Sequence, residues 1–296
     1  MKHLFIINPA AGKGTSMKLI PYIEEIFKHR NEEYIIEITK GTGDATAIAQ
    51  KYSSTGDYRI YSAGGDGTLN EVLNGVAGSS CSLGVIPSGS GNDFIKSIYN
   101  YEKSERIDHI LAKTINGQEE FIDLCKFNDR HFINIASVGF DAEVAYNAIK
   151  FKKFRFIGGG LAYILGIIFT VFKYSSYDFD ITIDDESFRV NALLMAVANG
   201  RYYGGGVNVT PEAEINDGLF SMCLVKKVSR LKILTLFPRV IKGTHAGIKE
   251  VSFHKGKKVK INCQKEIAFN IDGEISKGKK AEFEIISKGI KIVMPK

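Results

Sequence analysis

Apolar residues in the first hundred positions follow two alternating rhythms. Short β-branched or apolar runs at His3–Asn8, Tyr34–Thr39, Tyr58–Ala63 and Leu83–Pro87 predict strands. Between them, Leu19, Ile23, Ile26 and Phe27 recur at helical spacing, and Ala45–Tyr52 and Leu69–Val76 continue that pattern. Such alternation predicts a parallel sheet with helices on both faces, a doubly wound α/β domain. Ligands of these sheets bind beyond the carboxyl ends of the strands. Glycine clusters stand there after the first, third and fourth runs.

The texture changes from about Glu119. Strand-like runs now follow one another at Phe121–Phe127, His131–Val138, Phe179–Ile183, Val190–Ala198, Leu219–Lys226, Lys257–Cys263, Ile267–Asp272 and Ala281–Ile286. Their spacing predicts a mostly antiparallel second domain, a β-sandwich or barrel. Helical stretches interrupt it at Glu143–Ile149, Leu161–Phe172 and Arg230–Ile241. The division expected is residues 1–120 for the α/β domain and 121–286 for the β-rich domain, with a cleft between them.

Three loops carry candidate chemistry. The first, Asn8-Pro9-Ala10-Ala11-Gly12-Lys13-Gly14, is not a Walker loop, because that pattern needs glycine where Ile7 stands. It remains a glycine-rich turn with one lysine, suited to a phosphate. It also reads as an Asn-Pro turn before a helix capped by Thr15 or Ser16, and spacing leaves the two open. The second loop is Gly64-Gly65-Asp66-Gly67-Thr68-Leu69-Asn70-Glu71. Its glycines let backbone approach a phosphate, Asp66 is suited to ligate Mg²⁺ bridging phosphates, and Thr68 offers a hydroxyl and a cap. Pro87-Ser88-Gly89-Ser90-Gly91-Asn92-Asp93-Phe94 repeats the logic after the fourth strand.

At these residues the chain resembles the soluble bacterial diacylglycerol kinases and their lipid-kinase relatives, which include the sphingosine kinases and, more distantly, the NAD kinases. Gly64-Gly65-Asp66-Gly67-Thr68 with Asn70-Glu71-Val72 is similar to the family's most characteristic motif. Asn8-Pro9 with Gly12-Lys13, Thr39 with Gly43-Asp44-Ala45, and Ser88-Gly89 with Asn92-Asp93-Phe94 look like its other nucleotide-site motifs. One departure is Ser90, where threonine is common; a hydroxyl is kept. The resemblance implies an ATP- and Mg²⁺-dependent lipid kinase, with diacylglycerol the first acceptor to consider. It also implies that the last strand, about residues 287–296, returns to the first domain.

Ile271-Asp272-Gly273-Glu274 follows a strand of clear alternation. Taken alone the pattern favours a hairpin with Asp-Gly at its tip. The resemblance instead places this segment in the active site, with Glu274 as the base that takes the acceptor's proton and Asp272 beside it. It further implies a structural Mg²⁺ held by Glu214, Asp217 and the Leu219 carbonyl, where the plain alternative is an Asp-Gly turn.

Composition narrows the setting. The opening MKHLFIINPAAGKG has a five-residue apolar run, shorter than the roughly 7–15 residues of a secretory signal core. Four separated cysteines (Cys81, Cys125, Cys223, Cys263) form no Cys-x-x-Cys pair, so a reduced, cytoplasmic chain is expected. A net charge of +6 suits nucleotides, nucleic acid or anionic membranes alike. Lys150-Phe-Lys-Lys-Phe-Arg-Phe156 interleaves basic and aromatic residues, as a surface resting on the inner face of a membrane does, or a solvated basic connector. The uncharged run Phe156–Phe172 is expected to be a buried or cleft-lining helix of the second domain rather than to span a bilayer. No recognised nucleic-acid module accompanies these residues, so no nucleic acid is expected as partner. A homodimer is left open. The alternatives are a kinase of a soluble acceptor such as NAD, or a nucleotide-binding regulator, which would be expected to lack Asp66 or Glu274.

Overall fold

The computed structural model describes residues 1–99, 102, 104–152, 159–173 and 175–296. Parallel strands β1 (Lys2–Ile7), β2 (Glu33–Ile38), β3 (Tyr58–Gly64) and β4 (Ser82–Pro87) stand in the order β2-β1-β3-β4. Alternate residues of β1 enter opposite cores. Phe5 and Ile7 pack with Leu19, Ile23 and Phe27 of α1 (Leu19–Lys28). Leu4 and Ile6 pack with Ala45 and Ala49 of α2 (Asp44–Ser53) and Leu69, Val72 and Leu73 of α3 (Asp66–Val76). Helices therefore cover both faces, as the alternation predicts. A short α4 (Ile95–Ile98) follows the third glycine loop, and α5 (Ile107–Ile115) joins the α1 face through Leu111 and Ile115.

The second half contains β5 (Gln118–Phe127), β6 (Arg130–Phe132), β7 (Ile135–Gly139), α6 (Phe140–Lys152), α7 (Gly159–Lys173), β8 (Tyr177–Ile183) and β9 (Glu186–Ala198). It continues with the small pair β10 (Tyr202–Tyr203) and β11 (Val207–Asn208), then β12 (Phe220–Lys226), α8 (Arg230–Ile241), β13 (Val251–Gly256), β14 (Lys258–Ile271) and β15 (Glu274–Met294). The strands are antiparallel and enclose a core of Phe132, Phe179, Met195, Phe220, Ile261 and Phe283.

Several elements differ from the pattern-based expectation. The run His131–Val138 is two strands, broken at Ile133-Asn134, whose amides turn to a side chain described below. Lys257–Cys263 and Ile267–Asp272 are one strand, with an irregularity between Asn262 and Ile267. The Ala281–Ile286 run extends to the 21 residues of β15. That strand pairs with β14 and β5 and, at Lys291 and Ile292, runs parallel to β4, so 13 strands form one continuous sheet across both halves. The apolar run Phe156–Phe172 is α7 from Gly159 onward; residues 153–158, which include much of the interleaved basic segment, lie outside the described residues. No described helix is long and apolar enough to cross a membrane. All four cysteines are free and buried.

Candidate active site

The chain reverses direction of winding between β1 and β3, and their carboxyl ends meet at a crevice. Asn8 leaves β1 there and its Nδ2 donates to Thr68 Oγ1 at 2.9 Å, tying the first loop to α3. Thr68 is thus inside α3 rather than its cap; Gly65 holds the cap position. Thr15 and Ser16 are not helix caps either, since their hydroxyls donate to the carbonyls of Gly12 and Asn8. Gly12 has φ +58°, and a Cβ there would fall 2.3 Å from the Ser88 carbonyl oxygen. Gly65 and Gly89 stand against each other, a Cβ on Gly89 lying 2.4 Å from the Gly65 Cα. The second and third loops are in backbone contact, and only glycine permits it.

Asp66 opens α3, where the helix N-terminus favours its charge. Its Oδ1 accepts the Asp93 amide at 2.8 Å. Burial raises its pKa, the neighbouring Asp93 raises it further, and the amides of Asp93, Phe94 and Asn92 pull it back. Asp93 is itself engaged, pairing with Lys96 at 2.7 Å and accepting the Gly205 amide at 2.7 Å. Asn92, with φ +50°, closes its own loop by bonding both ways with the Gly89 backbone. Glu71 uses both carboxylate oxygens on the amides of Gly43 and Ala45 at the start of α2. Of Glu71, Asn92 and Asp93, expected at a nucleotide site, Glu71 lines the cleft below, while Asn92 and Asp93 brace the third loop from beside it. Ser88 is likewise buried, its amide bonded to the Gly64 carbonyl.

One cleft of about 790 Å³ is lined by Asn8, Pro9, Gly12, Thr39, Gly65, Asp66, Gly67, Thr68, Glu71 and Gly89 from the first half. Asp272, Gly273 and Glu274 line it from the second half. Lys13 is exposed and is not part of this lining, whereas Lys40 and Thr42, which the sequence did not single out, are. Their signal was their place between Thr39 and Gly43.

Asp272 and Gly273, both with positive φ, form the two-residue turn between β14 and β15. The hairpin tip and the site segment are thus the same residues. The Asp272 carboxylate accepts the amides of Ile133 at 2.9 Å, Asn134 at 3.2 Å and Ile135 at 2.9 Å, at the break between β6 and β7. Burial nevertheless pushes its pKa up to about 6, with Asp66 adding to the rise. Glu274 sits on the rim and pairs with Arg130, whose guanidinium also lies 3.4 Å from Asn70 Oδ1. No sequence motif marks Arg130.

Asp66 and Asp272 also line a second cleft of about 590 Å³, which reaches Asp141 and Tyr203. These two residues, joined by a 2.8 Å bond from the Tyr203 hydroxyl, border a third, apolar cavity of about 70 Å³ under α7 and α8. Leu193, Val209, Cys223, Ile233 and Leu236 are among its walls. Burial raises the pKa of Asp141.

The donor set at Asp66 fits Mg²⁺, which takes one or two carboxylates and completes its shell with phosphate oxygens and water. Asp66 and Asp272 face one cleft, each with its acidity weakened by burial and by a neighbouring carboxylate (Asp93 for Asp66, Asp66 for Asp272), and a cation would relieve both. The second metal set fits poorly. Asp217 Oδ2 pairs with Lys255 at 2.8 Å, its Oδ1 accepts the Leu219 amide at 3.0 Å, and Glu214 is exposed. Among the described residues no three His, Cys, Asp or Glu side chains gather as a metal cage. In the segment expected to hold a structural Mg²⁺, Asp217 thus pairs with an ammonium group.

A glycine-loop α/β half, an acidic turn from a β-rich half and a cleft lined by both define a two-domain kinase. The diacylglycerol kinase catalytic domain matches residues 2–127, and the YegS C-terminal NAD kinase beta sandwich-like domain matches residues 134–294. The chain belongs to the diacylglycerol kinase family. It is 30% identical over 293 residues to a diacylglycerol kinase of Bacillus subtilis (strain 168), covering 98% of this chain and 95% of that one. A diacylglycerol kinase of Mycobacterium tuberculosis (strain H37Rv) is 28% identical over 298 residues, covering 98% and 94%. A crystal structure from Bacillus anthracis str. Sterne superposes with TM-score 0.77 at 25% identity, covering 99% of this chain and 96% of the other. A second from that organism, a diacylglycerol kinase, gives 0.71 at 22% identity with the same coverage and supports the fold.

Proposed function

We propose that the chain transfers the γ-phosphoryl group of ATP to a lipid hydroxyl, with diacylglycerol the first acceptor and phosphatidic acid the product. One observation carries this reading: the three cavities are continuous in their lining. Asp66 and Asp272 are common to the glycine-loop cleft and the second cleft. Asp141 and Tyr203 are common to the second cleft and the apolar cavity. The order is a polar end for phosphates, an acidic middle for transfer and an apolar end for a chain.

Catalysis of phosphoryl transfer is chiefly positioning and charge neutralisation. The glycine loops bring backbone amides to the phosphates without side chains in the way. Mg²⁺, when bound, would neutralise phosphate charge, and Asp66 is the residue to hold it. Asp272, fixed by three amides, sets the depth at which the acceptor oxygen meets the phosphate. Glu274 accepts the hydroxyl proton once it parts from Arg130, and Arg130 is then free to face phosphate charge. Their pair is exposed, so parting costs about 1 kcal/mol or less.

The test is incubation with γ-labelled ATP, Mg²⁺ and mixed micelles of diacylglycerol, phosphatidylglycerol, a polyprenol or a sphingoid base. Label in one organic-extractable product, reduced about a thousandfold or more in Asp66→Ala, is expected. An Asp66→Ala protein that melts normally and retains turnover overturns the assignment. Unlabelled lipids beside intact ATP binding would redirect it to a soluble acceptor.

A further inference from the structure

Helices α7 and α8 carry apolar side chains on two sides. Inward, Ile167 of α7 and Ile233, Leu236 and Val240 of α8 line the apolar cavity. Outward, Ile168, Phe169 and Phe172 of α7 and Leu231, Leu234 and Ile241 of α8 are exposed, Phe172 by 71% and Leu231 by 74%. Leu231, Leu234, Pro238 and Ile241 recur at helical spacing, so they form one stripe along α8. The two helices pack on one another. A helix pair with a second apolar face left uncovered fits a position against lipid. As no described helix can cross a bilayer, the fitting lipid position is in the interface plane.

Charge points the same way. Neither helix contains an acidic residue. Lys150 at the end of α6, Lys173, Arg230, Arg239 and Lys242 are exposed and make no ion pair among the described residues. Lys173 lies over the Phe169 ring at 4.5 Å, which places charge directly beside the apolar patch.

We propose that the outer faces of α7 and α8 are a docking surface for a bilayer containing anionic lipid. The apolar side chains enter the headgroup region and the basic residues meet lipid phosphates. A second copy of the chain is the competing occupant, but a two-fold contact would set the same unpaired cations against one another. Docking here puts the bilayer on the roof of the apolar cavity, so the helices that touch lipid outside also line the apolar space inside. The inference deepens the lipid-kinase reading, and its test needs no turnover.

The chain has no tryptophan, so Phe172→Trp supplies a sole reporter. With the full protein in EDTA and no nucleotide, its emission should shift to the blue on phosphatidylcholine–phosphatidylglycerol vesicles and be quenched by bilayer-embedded spin-labelled lipid. Emission unchanged by vesicles overturns the proposal. Phe172→Ser combined with Leu231→Ser should weaken co-sedimentation with those vesicles by about tenfold or more. Diacylglycerol phosphorylation in detergent micelles should stay within about twofold of wild type, since neither side chain lines a cavity. Equal vesicle binding by the double variant overturns the proposal, as does a wild-type dimer that this variant converts to monomer. Failure of every lipid to accept phosphate, with Phe172→Trp still inserting, would remove the kinase reading and leave the docking surface standing.

Discussion

Asp272 sets two physical effects against each other. Three backbone amides bond its carboxylate, which by itself would keep it ionised. Burial acts the other way and prevails, moving its pKa from 3.8 to about 6. Between about pH 4 and pH 6 the folded protein then keeps a proton that the unfolded chain has lost. Stability contributed by this group is complete below the lower value and falls as pH rises, by about 3 kcal/mol across the window. Asp272→Asn has no such titration. Its amide NH₂ also meets a backbone N–H, at a cost of about 1–3 kcal/mol that does not vary with pH. The slope of the difference between the two proteins is therefore the readout. Urea unfolding of both, at several pH values in EDTA without nucleotide, should show wild type losing about 3 kcal/mol relative to Asp272→Asn from low to neutral pH. A flat difference, or one that grows in favour of wild type as pH rises, would mean the amides outweigh burial and would refute the reasoning.

Two further outcomes follow from contacts on either side of that turn. Gly89→Ala places a Cβ 2.4 Å from the Gly65 Cα, so the loops must part; nucleotide binding, measured by calorimetry, should weaken about tenfold or more while the melting temperature moves by a few degrees. Arg130→Met removes the partner of Glu274 but should leave stability within about 0.5 kcal/mol because the pair is exposed. If Arg130 faces phosphate charge during turnover, kcat falls about tenfold or more and Arg130→Lys recovers part of it; an unchanged kcat would reduce Arg130 to a resting partner.

What the sequence revealed, and what it hid, follows from where each constraint is recorded. The glycine loops were legible because close approach of two backbones forbids side chains, and Gly65 and Gly89 carry that prohibition as residue identity. Asp66 was legible because it stands among them. Asp272 was ambiguous because a two-residue turn needs the same Asp-Gly as the site does. Its partners were hidden: the amides of Ile133, Asn134 and Ile135 belong to the backbone and leave no trace in residue type. Arg130 with Glu274, and Tyr203 with Asp141, are pairs distant in sequence, without spacing that betrays them. Asp217 entered the expected metal set through the resemblance alone, and its pairing with Lys255, 38 positions on, leaves no mark in the sequence. Helix α5 does carry its signal in Ile107, Ile110, Leu111 and Ile115, whereas the edge strand β13 shows only weak alternation and drew no prediction.

Strand β15 begins beside Glu274 and ends against β4, so one piece of backbone is both a wall of the acceptor half and a rung of the nucleotide half. Two lobes joined this way behave less like jaws on a hinge than like the two ends of a single beam. Wide opening would have to break inter-strand hydrogen bonds, and bending is confined to the irregularities after Ile286 and after Asn262. For the proposed reaction, exclusion of water would then fall to the short loops at the cleft rim, with Asp66, Asp272 and the glycine loops held at fixed spacing by the shared strand.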